Sequence, residues 1–165
     1  MPYSTNAIFG RRAANLVFAV DYIDWAGELL MQGCDSFHLR ILSSLEASTS
    51  SVEAENYFFR CVKELSLSVP SNDLALLAYA NETAQQIVAG EISGNQGVQL
   101  LHQLWVASDY DSDFTIWLEL DNARGDLLAG ADPCTYETAT LANIDSIIKD
   151  EARKFIVVMR ERMKA

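Results

Sequence analysis

The stretch DYDSDFTIWLEL, residues 109–120, sets carboxylates at alternate positions, a spacing that is typical of calcium-binding loops. Taking Asp109 as the first ligand places Asp111 and Asp113 at the third and fifth positions of an EF-hand loop. The sixth position needs glycine but holds Phe114, and the twelfth needs a bidentate glutamate but holds Leu120. Calcium binding is therefore not predicted at this stretch.

A structural role explains the same aspartates. An aspartate oxygen accepts hydrogen bonds from the free N–H groups at the start of a helix, and its charge suits the positive end of the helix dipole. We therefore expect Asp109, Asp111 or Asp113 to cap a short helix, with the following FTIWL run in the core.

The histidines and cysteines offer little metal chemistry. His38 and His102 are the only histidines, and neither belongs to a metal-binding motif such as H-E-x-x-H. Cys34, Cys61 and Cys134 are odd in number and lack C-x-x-C spacing, so we expect buried thiols in a reducing cytosol. No metal site is predicted.

Motifs for covalent or cofactor chemistry are also missing from the sequence. It contains no G-x-S-x-G elbow, phosphate-binding loop or dinucleotide fingerprint, and Cys61 is expected to be buried among aromatic residues. Carboxylate pairs such as Glu46 with Glu53 leave a glycosidase-like arrangement open, because such a pair acts only at the right spacing in the fold. We predict a protein that is not an enzyme, with no catalytic residue and no cofactor.

Charge points to a protein partner. The net charge of −11 repels nucleic acid and anionic membranes, and it favours encounter with a basic protein. Residues 107–137 carry eight acidic residues against one basic residue, a local charge of −7. The predicted partner-binding residues, with Trp105 as a further aromatic candidate, are Asp109, Tyr110, Asp111, Asp113, Trp117, Glu119, Asp121 and Asp126.

The acidic segment has a second interpretation. Residues 149–164 carry six basic residues against three acidic ones, so the acidic segment could pack beside this part of the chain and neutralise it. Exposed ion pairs contribute little, about 0–1 kcal/mol each, so such pairing would not require a function.

Membrane insertion and export are not expected. No stretch reaches the roughly 18–20 apolar residues of a membrane-spanning helix. The apolar run after Arg11 and Arg12 ends at Asp21 without a cleavage pattern. We therefore expect a cytoplasmic protein.

Apolar residues recur at spacings of three and four, which predicts helices. The predicted helices cover residues 13–31, a short segment from Asp35 or Ser36, a segment after a Ser50–Glu53 capping box, 73–88 and a segment capped by Ser93. A final helix of about seven turns follows Pro133, with an apolar stripe that runs from Leu141 to Met159. The expected fold is all-α: a single domain over residues 1–165, built as a bundle of about six helices with a long C-terminal helix.

The segments FHLRILSSLE, NYFFRCVKELSLSVP and ANETAQQIVAGEISGNQGVQLLHQLW resemble a set of uncharacterised small bacterial proteins. The shared feature is a helix that ends in a Gly-Glu-Ile turn, followed by a glycine and a second apolar helix. The resemblance covers about half the chain. It implies a helical cytoplasmic protein and carries no activity, cofactor or catalytic residue.

Three hypotheses follow. The first is a non-enzymatic acidic binding protein, of the type of an immunity protein that neutralises a basic toxin. The second is a small-molecule-binding or hydrolytic helical domain, whose aromatic residues line a pocket that contains a carboxylate. The third is an oligomerising scaffold built on the Leu141–Met159 stripe, whose oligomeric state the sequence does not give.

Overall fold

The computed structural model describes residues 4–164, and this part of the chain is helical with no strand, which confirms the all-α prediction. Within it lie eight α-helices and one 3₁₀ turn, Ser112–Phe114. The helices are α1 Thr5–Ala13, α2 Ala19–Met31, α3 Phe37–Ser43, α4 Ser51–Glu64, α5 Asn72–Ala89, α6 Gly94–Ala107, α7 Thr115–Leu128 and α8 Ile144–Arg162.

Serine side chains begin several of these helices where the sequence predicts it. Ser36 accepts from the N–H of Leu39 at the start of α3, and Ser50 accepts from the N–H of Glu53 at the start of α4. Ser93 begins α6 and exchanges hydrogen bonds with Gln96, which forms a capping box. These boundaries follow from local sequence because a cap needs only residues three positions apart.

The helix count exceeds six because α1 and α7 were not predicted as separate helices. The predicted helix over 13–31 is wrong at its start, where the chain turns between α1 and α2. Asn15 adopts a left-handed φ of 56°, and the N–H of Leu16 donates to the carbonyl of Arg11. Asparagine tolerates this conformation better than most residues, so it ends α1 as glycine often does.

The C-terminal helix is long, at 19 residues, but it begins at Ile144 rather than just after Pro133. The Asn143 side chain accepts from the N–H of Thr140 and donates to the carbonyl of Thr138. These side-chain bonds hold a turn in place of the predicted first helical turns. Leu141 is exposed, whereas Ile144, Ile148, Phe155 and Met159 are buried, so the stripe predicted for oligomerisation packs in the core instead.

The chain divides into two compact units, residues 1–75 and residues 76–165, here called unit 1 and unit 2. A single domain over 1–165 stays a prediction. In unit 1, Phe58 on α4 contacts the rings of Phe9, Tyr22 and Trp25, with centroid distances of 5.3, 5.0 and 4.8 Å. This aromatic cluster joins α1, α2 and α4.

The core of unit 2 is built on Phe155 of α8. Its ring lies 5.2 Å from the rings of both Phe114 and Trp117 in near-perpendicular arrangements. Gly97 on α6 approaches Ile87 on α5 so closely that an added Cβ would lie 2.3 Å from the Ile87 side chain. The glycine of this predicted helix-turn-helix segment is therefore required by packing.

Candidate functional site

The turn after α6 presents an aromatic side chain beside a carboxylate. Asp109 and Tyr110 both adopt left-handed backbone conformations, with φ of 57° and 65°. The N–H of Tyr110 donates to the carbonyl of Trp105 at 2.9 Å, which holds the turn. Left-handed non-glycine residues cost on the order of 1–3 kcal/mol each, and such strain often accompanies function.

Tyr110 is 59% exposed, yet its ring is fixed on one side. It packs edge-on against Trp105, with a centroid distance of 4.8 Å. Asp109 is exposed and forms no ion pair with any residue that the structure describes. We name Asp109 and Tyr110 the acidic turn.

The neighbouring aspartates have structural partners. Asp111 accepts from the N–H of Asp113 at 3.0 Å and so caps the 3₁₀ turn, as the sequence predicts for one of the three aspartates. The Arg162 guanidinium at the end of α8 lies 2.7 Å from Asp111 and 2.9 Å from Asp113. The acidic segment therefore packs against the basic C-terminal helix at this point.

The other predicted partner-binding residues are also engaged within unit 2. Asp121 lies 2.7 Å from Nδ1 of His102, and Asp126 accepts from the N–H of Cys134. The backbone carbonyl of half-buried Glu119 accepts from the Thr135 hydroxyl at 2.8 Å. Trp117 is fully buried, as expected for the FTIWL run, so we do not include it in the proposed contact.

In unit 1, an ion pair fixes the connection between α1 and α2. Asp21 is almost fully buried, and its carboxylate lies 3.0 Å from the Arg11 guanidinium. The same carboxylate accepts from the N–H of Phe18 at 2.7 Å, which begins α2. Arg11 also donates to the carbonyl of Leu16.

Arg12 lines a cleft formed by α1, α2 and α4, which we call the unit 1 cleft. Its Nε donates to Oε1 of Glu55 at 2.5 Å, and its guanidinium lies 4.9 Å from the centre of the Phe59 ring. Tyr22 also lines the cleft, and its buried hydroxyl has no hydrogen-bond partner among the described residues. Burial and the Glu55 charge raise the pKa of Tyr22 above its usual range.

The sequence did not single out this cleft, because it gathers residues far apart in the chain. In the sequence, Arg12 flanks an apolar run, and Glu55 is one of two glutamates near the start of a predicted helix. The spacing of polar residues around Arg12 and around Glu55 is the spacing that any amphipathic helix shows. Their proximity follows from the aromatic packing that joins α1, α2 and α4.

A second carboxylate–histidine pair fastens α3 to α4. Glu64 accepts from Nδ1 of His38 at 2.5 Å and from the His38 N–H at 3.1 Å. Hydrogen bonds from Ser36 and then from the His38 N–H lower the pKa of Glu64 below its usual range. The pair thus contributes to capping the start of α3.

The cysteines differ in exposure. Cys61 is buried, as expected, and burial together with the Glu64 charge raises its pKa to about 12. A thiol with such a pKa is a poor nucleophile near neutral pH. The expectation of burial is wrong for Cys134, which is exposed, and Cys34 is half-buried. Asp126 bonds the Cys134 backbone, which holds that residue on a loop.

Across residues 4–164, no cluster of three histidine, cysteine or carboxylate side chains is arranged to hold a metal ion. Within the same range, no helix is both long and apolar enough to cross a membrane.

Comparison with known proteins gives no assignment. The sequence matches no protein-family model, and no curated protein or solved structure is significantly similar to it. The resemblance of the helix, Gly-Glu-Ile turn and helix segment to small bacterial proteins stays an expectation.

Proposed function

We propose that the chain is a non-enzymatic binding module that recognises a basic protein through the acidic turn of unit 2. The observation that carries this proposal is the exposed Tyr110, packed on Trp105 and adjacent to Asp109, whose carboxylate forms no ion pair within residues 4–164. An aromatic residue held in place loses little freedom on binding, and tyrosine is enriched among residues that dominate interface energies.

The charge of unit 2 supports the basic character of the partner. Residues 76–165 contain fourteen acidic and seven basic residues, a net charge of −7, whereas residues 1–75 contain nine and five, a net charge of −4. A negative surface accelerates encounter with a positive one and disfavours acidic competitors. The specific class we propose is a basic toxin, such as a nuclease, for which this chain is an immunity-type protein. The size and acidity of the chain support this class.

We assign fewer residues to the proposed contact than the sequence predicted. Arg162 already pairs with Asp111 and Asp113, so we assign them to holding the acidic turn in place. Asp121 and Asp126 hold α6 and the loop after α7 in the same way. Asp109 and Tyr110 are the central proposed contacts, and Glu119, which bonds Thr135 through its backbone carbonyl and not its carboxylate, stays a predicted one.

A tagged chain, used to capture proteins from a lysate of its native host, tests the proposal. We expect one basic protein that is retained at low salt and lost at high salt. Its purified form should bind the Tyr110→Ala variant about 30-fold or more weakly, as expected for a central aromatic contact that contributes 2 kcal/mol or more. Asp109→Asn should mainly slow association.

Matched controls lie in unit 1. Phe37→Ala removes an aromatic residue that is 70% exposed, and Glu46→Gln removes one carboxylate. Both controls should bind as the unaltered chain does. Equal affinity of the unaltered chain and the Tyr110→Ala variant would refute the site, and the absence of any salt-sensitive basic partner would refute the function.

The polar lining of the unit 1 cleft favours a second candidate function, the binding of a small molecule. The small-molecule hypothesis expects a carboxylate in a pocket lined by aromatic side chains. Trp25 and Trp117 do not line a pocket of this kind, because both are fully buried in the cores of the two units. The unit 1 cleft contains Glu55 and the tyrosine hydroxyl of Tyr22 in a largely polar setting. Ligand binding there would be independent of the acidic turn.

A further inference from the structure

The unit 1 cleft contains a polar group that the fold itself does not explain. Tyr22 is 1% exposed, and its hydroxyl has no hydrogen-bond partner in the described chain. A buried hydroxyl without a partner is costly, and phenylalanine would fill the same space without that cost. Since Tyr22 lines the cleft, a molecule bound there is the natural partner for the hydroxyl.

Two opposite charges lie at the same cleft with unused hydrogen-bonding capacity. Arg12 uses Nε to donate to Oε1 of Glu55. Within residues 4–164 the two terminal nitrogens of Arg12 and the second oxygen of Glu55 have no hydrogen-bond partner. Both side chains are about one-third exposed, at 37% and 34%. The arrangement offers donors for an anion beside an acceptor for a cation.

The balance of charge selects the class of ligand. Asp21 compensates Arg11, which leaves Arg12 and Glu55 as the charged groups that line the cleft. A lone anion would lie against Glu55 and a lone cation against Arg12, and each contact would be repulsive. A molecule that carries both charges satisfies the two side chains together.

The remaining lining sets the size and polarity of the ligand. The cleft has a volume of about 460 Å³, within the usual range for small-molecule sites. Ala13, Val17 and Val52 supply apolar wall, and Asn15 and Asn72 supply amides at the edge.

We propose that the unit 1 cleft binds a free α-amino acid, with its carboxylate at Arg12 and the Tyr22 hydroxyl and its ammonium at Glu55. A tyrosine hydroxyl is protonated near neutral pH, and burial raises the pKa of Tyr22 further, so this hydroxyl donates to the carboxylate. The apolar wall accommodates an aliphatic side chain. This site lies wholly in unit 1 and does not depend on the partner proposed for unit 2.

The test uses the full chain and the proteinogenic amino acids, each added singly. Thermal unfolding identifies any amino acid that raises Tm, because a ligand that binds only the folded state stabilises it. Calorimetric titration then gives Kd. We expect affinity to fall about tenfold or more in Tyr22→Phe and in Arg12→Gln, since each loses a hydrogen bond to a charged group. Glu55→Gln should weaken binding similarly.

Controls separate this site from non-specific effects. Arg60→Gln removes the same charge elsewhere in unit 1 and should leave Kd unchanged. The decarboxylated amine, the carboxamide and the N-acetyl derivative of the best amino acid should all bind more weakly. The Tm of free Tyr22→Phe should equal or exceed that of the unaltered chain, which distinguishes an unpaired hydroxyl from one that holds a resident water.

Several results would overturn the proposal. They are the absence of any amino acid that shifts Tm or produces binding heat, and unchanged Kd in Tyr22→Phe and Arg12→Gln. Equal binding of the carboxamide would remove carboxylate recognition, and a lower Tm of free Tyr22→Phe would show that the hydroxyl already has a partner.

Discussion

At the scale of single residues, burial controls the ionisation of Cys61 and Tyr22. Burial raises the pKa of Cys61 from its ordinary value of 9.0 to about 12, and it raises the pKa of Tyr22 from 10.0. In the unfolded chain, the Cys61 thiol loses its proton as pH rises above 9.0, and the Tyr22 hydroxyl loses its proton above 10.0. The folded chain keeps both protons over this pH range. The unfolded state then binds fewer protons, so the free energy of unfolding falls with rising pH.

This linkage gives a measurable prediction. The free energy of unfolding from urea titrations should decline as pH rises from 9 towards 12. At pH 9 the double variant Cys61→Ala, Tyr22→Phe should be less stable than the unaltered chain, because the alanine at position 61 leaves a cavity. Over the same pH range, however, the free energy of unfolding of the variant should fall by less. An equal loss in both proteins would contradict the burial argument.

Single residues also show where the sequence predicts well and where it does not. The capping role of Asp111 was predictable, because a cap involves neighbours in the chain. The core position of Trp117 was also predictable from the apolar FTIWL run, but it conflicts with the choice of the same residue as a partner contact. The cleft pairing of Arg12 with Glu55 joins residues 43 positions apart, and no local pattern encodes it.

At the scale of elements, the contact between α5 and α6 depends on a glycine. Gly97→Ala would place a Cβ 2.3 Å from Ile87, which is fully buried, so one element must shift. We expect a loss of about 1–3 kcal/mol in the free energy of unfolding, typical of overpacking. Gly97→Ala combined with Ile87→Ala should cost less than the sum of the two single substitutions, because Ile87→Ala removes both atoms that lie at 2.3 Å, Cγ1 and Cδ1.

A matched glycine provides the control. Gly125 lies in α7 with no atom within 4 Å of an added Cβ. Gly125→Ala should therefore stabilise the protein by about 0.5–1 kcal/mol, through helix propensity alone. Chemical denaturation of the variants measures both effects. A Gly97→Ala variant as stable as Gly125→Ala would show that α5 and α6 are not as close as described.

The elements themselves were largely predictable, and their errors have local causes. The starts of α3, α4 and α6 follow serine caps that the sequence displays. Asn15 adopts a left-handed conformation that interrupts the predicted first helix. The Asn143 side chain holds a turn, so α8 begins later in the chain than predicted. Both errors come from asparagines, whose side chains and backbone allow turns within an otherwise helical pattern.

At the scale of the whole molecule, charge is distributed unequally along the chain. Unit 2 carries −7 of the net charge of −11, a sum that already counts Arg162 beside the acidic segment. An all-α fold was predictable from apolar spacing. The division of function between a protein-binding turn in unit 2 and a ligand cleft in unit 1 is our proposal, and neither part requires the other.

The most direct test of the central claim places a photoreactive amino acid at the acidic turn. Position 110, occupied by p-benzoylphenylalanine in the native host, should crosslink to one basic protein on irradiation, and raised salt should reduce the yield. The same substitution at exposed Phe37 in unit 1 should give no such product. A basic product from position 110 alone would agree with partner recognition through the acidic turn, and its absence there, or equal yield at both positions, would contradict it.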